Sequence, residues 1–493
     1  MKILQLGKFY PVKGGVEKVM YELTLGLSEQ ENDCDMMCAN AERGSSRIRL
    51  NGHSQIICTD TWFKLAGTMV SPGMIVTLRK ECNNYDVIHI HCPDPMAVLA
   101  LMLSGYKGKV VLHWHSDVLK QHVLMSLYRP LQNWIIKRAD RIVCTTPVMR
   151  QESEYLHEVQ DKAVVIPIGI DPMEIKQKNV KSLRKQFKGK KIVFSLGRLV
   201  PYKGYTYLIQ AAKYLPDDYV IIIGGEGPLW DKLQKEIGDN GVQGKVCMTG
   251  FIANEERQAY YGACDVFCMS SILKTEAFGI VQIEAMSCGK PIVATNIGCS
   301  GVSWVNKHGV SGLNVAPMDP KALAEAIVAV VEDSATYSKQ SLNRYFSLFT
   351  KERMISSCYK LYQELLDQKT EFLQTGSTDA ISESFSAFSH DSAFTVRNGL
   401  KLRCIDRQFL IVDNNTDNLN YTRVYELNET AAWIWQKAND GKEFTADELT
   451  ELIAERYDID REAAYADIVR QLLYWKENGL ITLVENVNEQ ESD

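Results

Sequence analysis

Short β-rich runs alternate with helical stretches from the second residue onward, and the alternation restarts once. KILQLG (2–7), DVIHIH (86–91), KVVLHWH (109–115), RIVCTT (141–146) and AVVIPIG (163–169) read as brief apolar strands, and GVEKVMYELTLGLSEQ (15–30) has helical spacing. After a charged interval, KQKNVKSLRKQFKGKK (176–191), the rhythm resumes with IVFSLG, YTYLIQAAKYL, YVIIIGG, VCMTG, DVFCMS and PIVAT. This is the pattern of parallel strands joined by crossover helices. It predicts two doubly wound, Rossmann-like α/β domains, 1–170 and 171–350, facing each other across a cleft. Ligands in such sheets bind beyond the carboxyl ends of the strands. KERMISSCYKLYQELLDQ predicts a closing helix over 351–369.

At 493 residues the chain exceeds one compact core. Residues 370–393 are rich in Ser, Thr and Ala without a period, the composition of a linker. Beyond them the pattern changes to a small α+β module over 394–485, followed by a tail, 486–493. Charge follows the same division. From Phe394 onward 11 Lys and Arg face 20 Asp and Glu, while the first 393 residues carry 44 against 41. An acidic appendage on a slightly basic body argues for two units with different partners. It argues against nucleic acid as the partner of the appendage, since phosphate neutralisation needs cations, and no nucleic-acid partner is expected.

The 13 cysteines are scattered. The closest pairs, Cys34/Cys38 and Cys264/Cys268, lack a second pair or a His cluster at zinc spacing, so no metal is expected. Buried thiols in a reducing compartment fit better. MKILQLGKFYP runs directly into a strand without a signal peptide, and PMAVLALML is too short to span a bilayer. A cytoplasmic protein without cofactors is expected. RPLQNWIIKRADR (129–141) sets cations beside an apolar face that could rest on anionic lipid at the inner membrane surface; a solvated helix face is the alternative.

TEAFGIVQIEAMSCGKPIVAT (275–295) places Glu276 in the turn after a strand and Glu284 inside an almost wholly apolar helix opened by Phe278, Gly279 and Ile280. A buried carboxylate without donors costs several kcal/mol. No Lys or Arg lies one turn away, but sugar hydroxyls could serve, and free N–H groups at the helix start favour phosphate. Backbone groups satisfying a structural Glu are the alternative. In SLGRLVPYKG (195–204), Arg198 and Lys203 follow a strand and could hold a diphosphate, or stand solvated in a loop. Gly14 and Gly15, between Lys13 and Glu17, would let backbone N–H groups approach phosphates, or form an ordinary tight turn. GGEGP (224–228) serves close packing as readily as ligand binding. VVLHWHSD (110–117) ends a strand with His113, His115 and Asp117; His115 is the candidate for contacting a sugar, and His89 reads as structural. Asp33 and Asp35 read as surface residues.

GGVE (14–17), HSD (115–117), GRLVPYKG (197–204) and the E-x7-E of Glu276 and Glu284 together resemble retaining glycosyltransferase family 4, with its GT-B fold, over about 1–366. The resemblance implies an N-terminal acceptor domain and a nucleotide-sugar domain after it. Arg198 and Lys203 would bind the donor diphosphate. Glu276 and the N–H groups of Phe278 and Gly279, with Ile280 beside them, would meet the transferred sugar. Glu284 would hold the ribose, Gly15 would lie by the phosphates and His115 near the reacting sugar. No metal is implied. The donor would be a UDP- or GDP-sugar and the acceptor a glycan, lipid-linked or peptide hydroxyl, with a lean towards surface polysaccharide. Ile168 departs from the family, which often has Asn there. YELNETAAWIWQKANDGKEFTADELTELIAERYDID with ADIVRQLLYWKENGLI resembles PqqD-like winged-helix modules, which bind a leader peptide by strand addition. Trp433 and Trp435 are expected in its core. A non-catalytic peptide-recruiting scaffold is the competing reading.

Overall fold

The computed structural model describes residues 1–65, 67–117, 122–374, 393–397, 399–405, 408–413, 424–427, 429–439, 442–457, 461–477 and 479–484. Two compact units emerge, Met1–Thr370 and Glu371–Asp493.

Among its described residues the first unit holds two large sheets and a two-stranded hairpin, Phe63–Leu65 with Thr68–Val70. One orders its strands Ala163–Val165, Arg141–Cys144, Lys109–Trp114, Val87–Cys92, Lys2–Tyr10, Asp33–Asn40, Ser54–Thr59 and Ser46–Asn51. All pair in parallel except the antiparallel edge strand Ser46–Asn51. The other is wholly parallel: Val246–Gly250, Tyr219–Gly224, Lys191–Leu196, Val266–Met269, Ile292–Thr295 and Gly312–Val315. Central strands such as Val87–Cys92 and Tyr219–Gly224 are buried along their whole length, which explains their near-continuous apolar composition.

The chain crosses between the halves twice at one place. Ile170 and Thr350 form a parallel bridge, and a Cβ on Gly169 would lie 2.1 Å from the Thr350 carbonyl oxygen. The closing helix, Lys351–Gln374, returns to the N-terminal half. There Ile355 presses on Gly26 of the helix Val16–Glu29, where a Cβ would meet its Cδ1 at 2.0 Å. Ile3, Leu27, Cys34, Ile355, Cys358 and Tyr362 belong to one apolar cluster that reaches into the second sheet.

Two sequence expectations change here, and a third lies outside the described residues. Ile135 and Ile136 of the 129–141 segment are buried in the N-terminal core, with Leu131 and Trp134 packed against it. That apolar face is therefore used up internally rather than offered to lipid. Asp35 is buried, accepting from the Tyr85 hydroxyl at 2.8 Å and the Gln55 amide at 3.0 Å, whereas Asp33 is exposed. The linker reading rests largely on 375–392, and the tail on 486–493; both stretches lie outside the described residues.

Among the described residues of the second unit two three-stranded antiparallel sheets accompany three helices. The sheets order Phe444–Thr445, Ala393–Val396, Ile481–Leu483 and Leu400–Ile405, Gln408–Asp413, Val424–Leu427. Among the helices, Glu429–Ala438 and Arg461–Glu477 meet at a T-shaped contact of Trp435 on Trp475, 5.0 Å between centroids, and both rings are fully buried. Trp433 is half-buried, with the Arg456 guanidinium 4.5 Å over its ring.

Candidate active site at the junction of the two halves

Glu276 lies beyond the carboxyl end of Val266–Met269. Its Oε2 meets Lys203 Nζ at 2.5 Å and accepts from the Ser271 hydroxyl at 3.0 Å, while its carbonyl accepts from the Ser300 hydroxyl. Both members of the ion pair are largely buried, so solvent screens them little. Burial opposes charge on Lys203, yet Glu276 beside it, together with Tyr205 and Tyr202, outweighs that and holds the ammonium pKa above the usual lysine range. Gly204 makes this approach possible: at φ 65° it lets the loop press onto the strand end, where a Cβ would sit 2.1 Å from the Ser270 carbonyl oxygen. Arg198 is exposed and forms no ion pair among the described residues. The two cations expected to act alike thus differ: Arg198 stands open, and Lys203 is engaged with Glu276. The GGEGP turn packs on the same loop, for a Cβ on Gly225 would meet the Gly197 carbonyl oxygen at 2.0 Å.

Gly279, at φ 79°, turns the chain into the helix Ile280–Ser287, with Phe278 buried behind it. Inside that helix Glu284 is only 6% exposed. Its donor is the Tyr261 hydroxyl, 2.7 Å from Oε2, from the helix Asn254–Ala263. Burial, reinforced by Glu284, raises the Tyr261 pKa well above its usual value and keeps the hydroxyl protonated as a donor. Sequence spacing could not reveal this partner because it lies on a different helix. Glu284 also lines a cavity of about 410 Å³ with Lys18, Glu22, Ile168, Asp171 and Arg257, where the first helix of the N-terminal half faces the second half. At the same boundary Gly15, at φ 63°, caps Val16–Glu29, and Gly14 has nothing within 4 Å of a would-be Cβ.

His115 follows the strand Lys109–Trp114, whose Trp114 pairs in register with Cys144. Thr146, two residues on, abuts Gly301, where a Cβ would lie 2.5 Å from its methyl group, and the Gly301 amide donates to the Ala277 carbonyl at 3.0 Å. Contacts therefore link the strand ends of the N-terminal half to the loop that carries Glu276. His115 belongs to a buried stack with His89, His91 and His113; its ring lies 3.9 Å from that of His113, and its Nε2 lies 3.0 Å from His91 Nδ1. Burial drives all four pKa values down, that of His113 to about 3. His89, His91 and His113 bring ring nitrogens within 4.8 Å of one another, a grouping invisible in the sequence because it joins two strands.

The chain is similar to known glycosyltransferases. Residues 13–174 match the family described as Glycosyltransferase Family 4, and 176–345 match Glycosyl transferases group 1. The O-antigen chain mannosyltransferase C of Escherichia coli is 30% identical over 378 residues, 75% of this chain and all of that protein. The chain belongs to glycosyltransferase family 4. A further relative, the D-rhamnosyltransferase WbpZ of Pseudomonas aeruginosa, is 29% identical over 71% of this chain and 92% of its own length. Among solved structures, Anabaena HepE in complex with UDP superposes with a TM-score of 0.60 at 20% identity, covering 74% of this chain and 100% of its own. The sucrose-phosphate synthase of Thermosynechococcus elongatus gives 0.62 at 20% identity, covering 75% and 100%. The fold of the first unit is GT-B. Beyond it, residues 412–481 match Coenzyme PQQ synthesis protein D (PqqD). No helix among the described residues is long and apolar enough to cross a membrane.

Proposed function

We propose that this family 4 glycosyltransferase is a retaining, metal-independent hexosyltransferase that draws on a UDP- or GDP-sugar. The observation that carries this reading is the buried Lys203–Glu276 pair opposite a helix start, with Glu284 facing the cavity eight residues on. Glu284 accepts from the ribose hydroxyls, and Glu276 accepts from hydroxyls of the transferred sugar. Arg198, Lys203 and the amides of Phe278, Gly279 and Ile280 supply positive potential for the departing diphosphate. The sugar C1–phosphate oxygen bond breaks, the acceptor hydroxyl bonds to C1 on the same face, and a phosphate oxygen takes its proton. Gly14 and Gly15 pass close to the phosphates, and His115 lies beside the reacting sugar. The two carboxylates are not a glycosidase pair flanking the scissile bond. HepE, crystallised with UDP, supports a nucleotide donor, and the mannosyl- and rhamnosyltransferase relatives support a glycan or lipid-linked acceptor in surface-polysaccharide assembly.

The acidic second unit serves as a peptide-recruiting domain. Its outer strands Leu400–Ile405 and Val424–Leu427 each pair on one side only among the described residues, leaving edges suited to strand addition. Peripheral membrane contact is assigned to the hairpin Phe63–Leu65/Thr68–Val70, where Trp62, Phe63 and Leu65 are more than half exposed around Lys64. Failure to co-sediment with anionic vesicles at low salt would remove that assignment.

Calorimetry of the full chain against a panel of UDP- and GDP-sugars, without added metal, tests the central reading. Selective binding of one donor followed by its turnover is expected. Donor binding without turnover on any acceptor would leave the scaffold as the better reading.

A further inference from the structure

The four stacked imidazoles are connected to one another and to the closing helix by directed hydrogen bonds. Gln5 stands on Lys2–Tyr10, the strand beside Val87–Cys92, and its Oε1 lies 2.8 Å from His91 Nε2. The Gln5 amide nitrogen donates to the Tyr362 hydroxyl at 3.3 Å and lies 3.9 Å from Cys34 Sγ. The same hydroxyl lies 2.5 Å from His89 Nδ1. Tyr362 belongs to Lys351–Gln374, the helix that follows the second half.

The directions of these bonds fix protons. A carbonyl oxygen only accepts, so His91 carries its hydrogen on Nε2. A neutral imidazole has one N–H, and burial keeps this one neutral. His91 Nδ1 must then accept, and His115 must donate to it through Nε2. That leaves His115 Nδ1 without a proton, buried, and without a partner among the described residues. Reversing the Gln5 amide would reverse every bond and put a hydrogen on His115 Nδ1. As the amide is placed, Tyr362 accepts from its nitrogen and can donate to His89 Nδ1.

A metal does not account for the cluster. His91 uses both ring nitrogens, on His115 and Gln5, and His89 uses one on Tyr362. Only His89 Nε2 and His113 remain unpartnered within the trio, one ligand fewer than a three-histidine site requires.

We propose that Gln5 and His91 are positioning residues that present His115 Nδ1 as a proton-free hydrogen-bond acceptor for a sugar hydroxyl in the cleft, with Tyr362 hydrogen-bonded to the Gln5 amide. The inference rests on the placement of His115 beside the reacting sugar. It ties the charge pattern of the acceptor half to a helix that arrives from the donor half.

Nitrogen-15 NMR of the histidine-labelled full chain reads the tautomer directly. His115 protonated on Nε2 and bare on Nδ1 is the expected result; a proton on Nδ1, or a stoichiometric metal in the purified protein, overturns the proposal alone. Kinetics supply the second arm. Gln5→Met should lower kcat for transfer at least about 10-fold while donor KM stays within about twofold. Gln5→Glu, whose carboxylate still accepts from His91, should recover most of that loss. Equal losses in both variants overturn the positioning role. His115→Ala with wild-type transfer would refute the placement of His115 in the site, and with it the proposal, whatever the tautomer.

Discussion

Glu276 and Glu284 look alike in the sequence, eight residues apart in one apolar run, yet their partners give them different work. Glu276 neutralises a buried ammonium and is held by Ser271, a setting in which small changes in charge alter turnover. Glu276→Gln should lower kcat by about 100-fold or more, the scale of losing one preorganised electrostatic contact, with donor affinity nearly unchanged. Glu284→Ala should do the reverse, weakening donor binding about 10- to 100-fold in calorimetry, the range for hydrogen bonds to a charged group. Unchanged kinetics and binding in both variants would remove the assignment. The sequence made the need of Glu284 for donors legible, because an ionised group in an apolar helix must be compensated. It did not make Tyr261 legible, since that hydroxyl arrives from another helix and only tertiary packing joins them. Lys203 is a related case. A cation after a strand suggests a diphosphate contact, but not that Glu276 already holds it.

Among elements, the strand–helix alternation was readable because buried parallel strands leave short, unbroken apolar runs. The same burial hides what their polar residues do. His89, His91, His113 and His115 were visible as two H-x-H runs, but their stacking depends on the register that sets His91 opposite His113. The apolar stripe of 129–141 was legible as amphipathic, yet periodicity cannot say whether such a stripe faces lipid or core. Burial of the four histidines carries a pH signature. Above about pH 6.5 they are neutral whether folded or not; below it the unfolded chain binds protons that the folded core refuses, so stability falls as pH falls. Each histidine contributes up to about 1.4 kcal/mol per pH unit in that window, continuing for His113 to about pH 3. Denaturation midpoints at about pH 7.5 and about pH 5 should therefore differ clearly, and His113→Leu should narrow the gap. Equal midpoints for the wild type would contradict the burial. The turn into Ile280–Ser287 makes a second demand. Gly279→Ala should destabilise the fold by about 1–2 kcal/mol from its positive φ, and more because the new Cβ would lie 2.8 Å from Met269 Sδ.

For the whole molecule, the charge division and the contact division fall close together. Met1–Thr370 is one compact unit, and the stretch from Phe394, with 20 acidic against 11 basic residues, lies in the other. The second unit has its own core around Trp435, Trp475, Phe394 and Ile468. It shares none of the residues proposed to handle the donor, so catalysis and recruitment should separate. A chain ending after the closing helix should hydrolyse its nucleotide sugar at a rate within about twofold of the full chain, because Arg198, Lys203, Glu276, Glu284 and Tyr261 all lie in the first unit. The same truncation should lose most of its activity on a peptide that the second unit binds, since tethering raises the local acceptor concentration to about millimolar for a short flexible connection. Steady-state rates with and without that peptide distinguish the cases. Parallel loss of hydrolysis and transfer would make the second unit a structural support of the first, and the strand-edge reading would have to be abandoned.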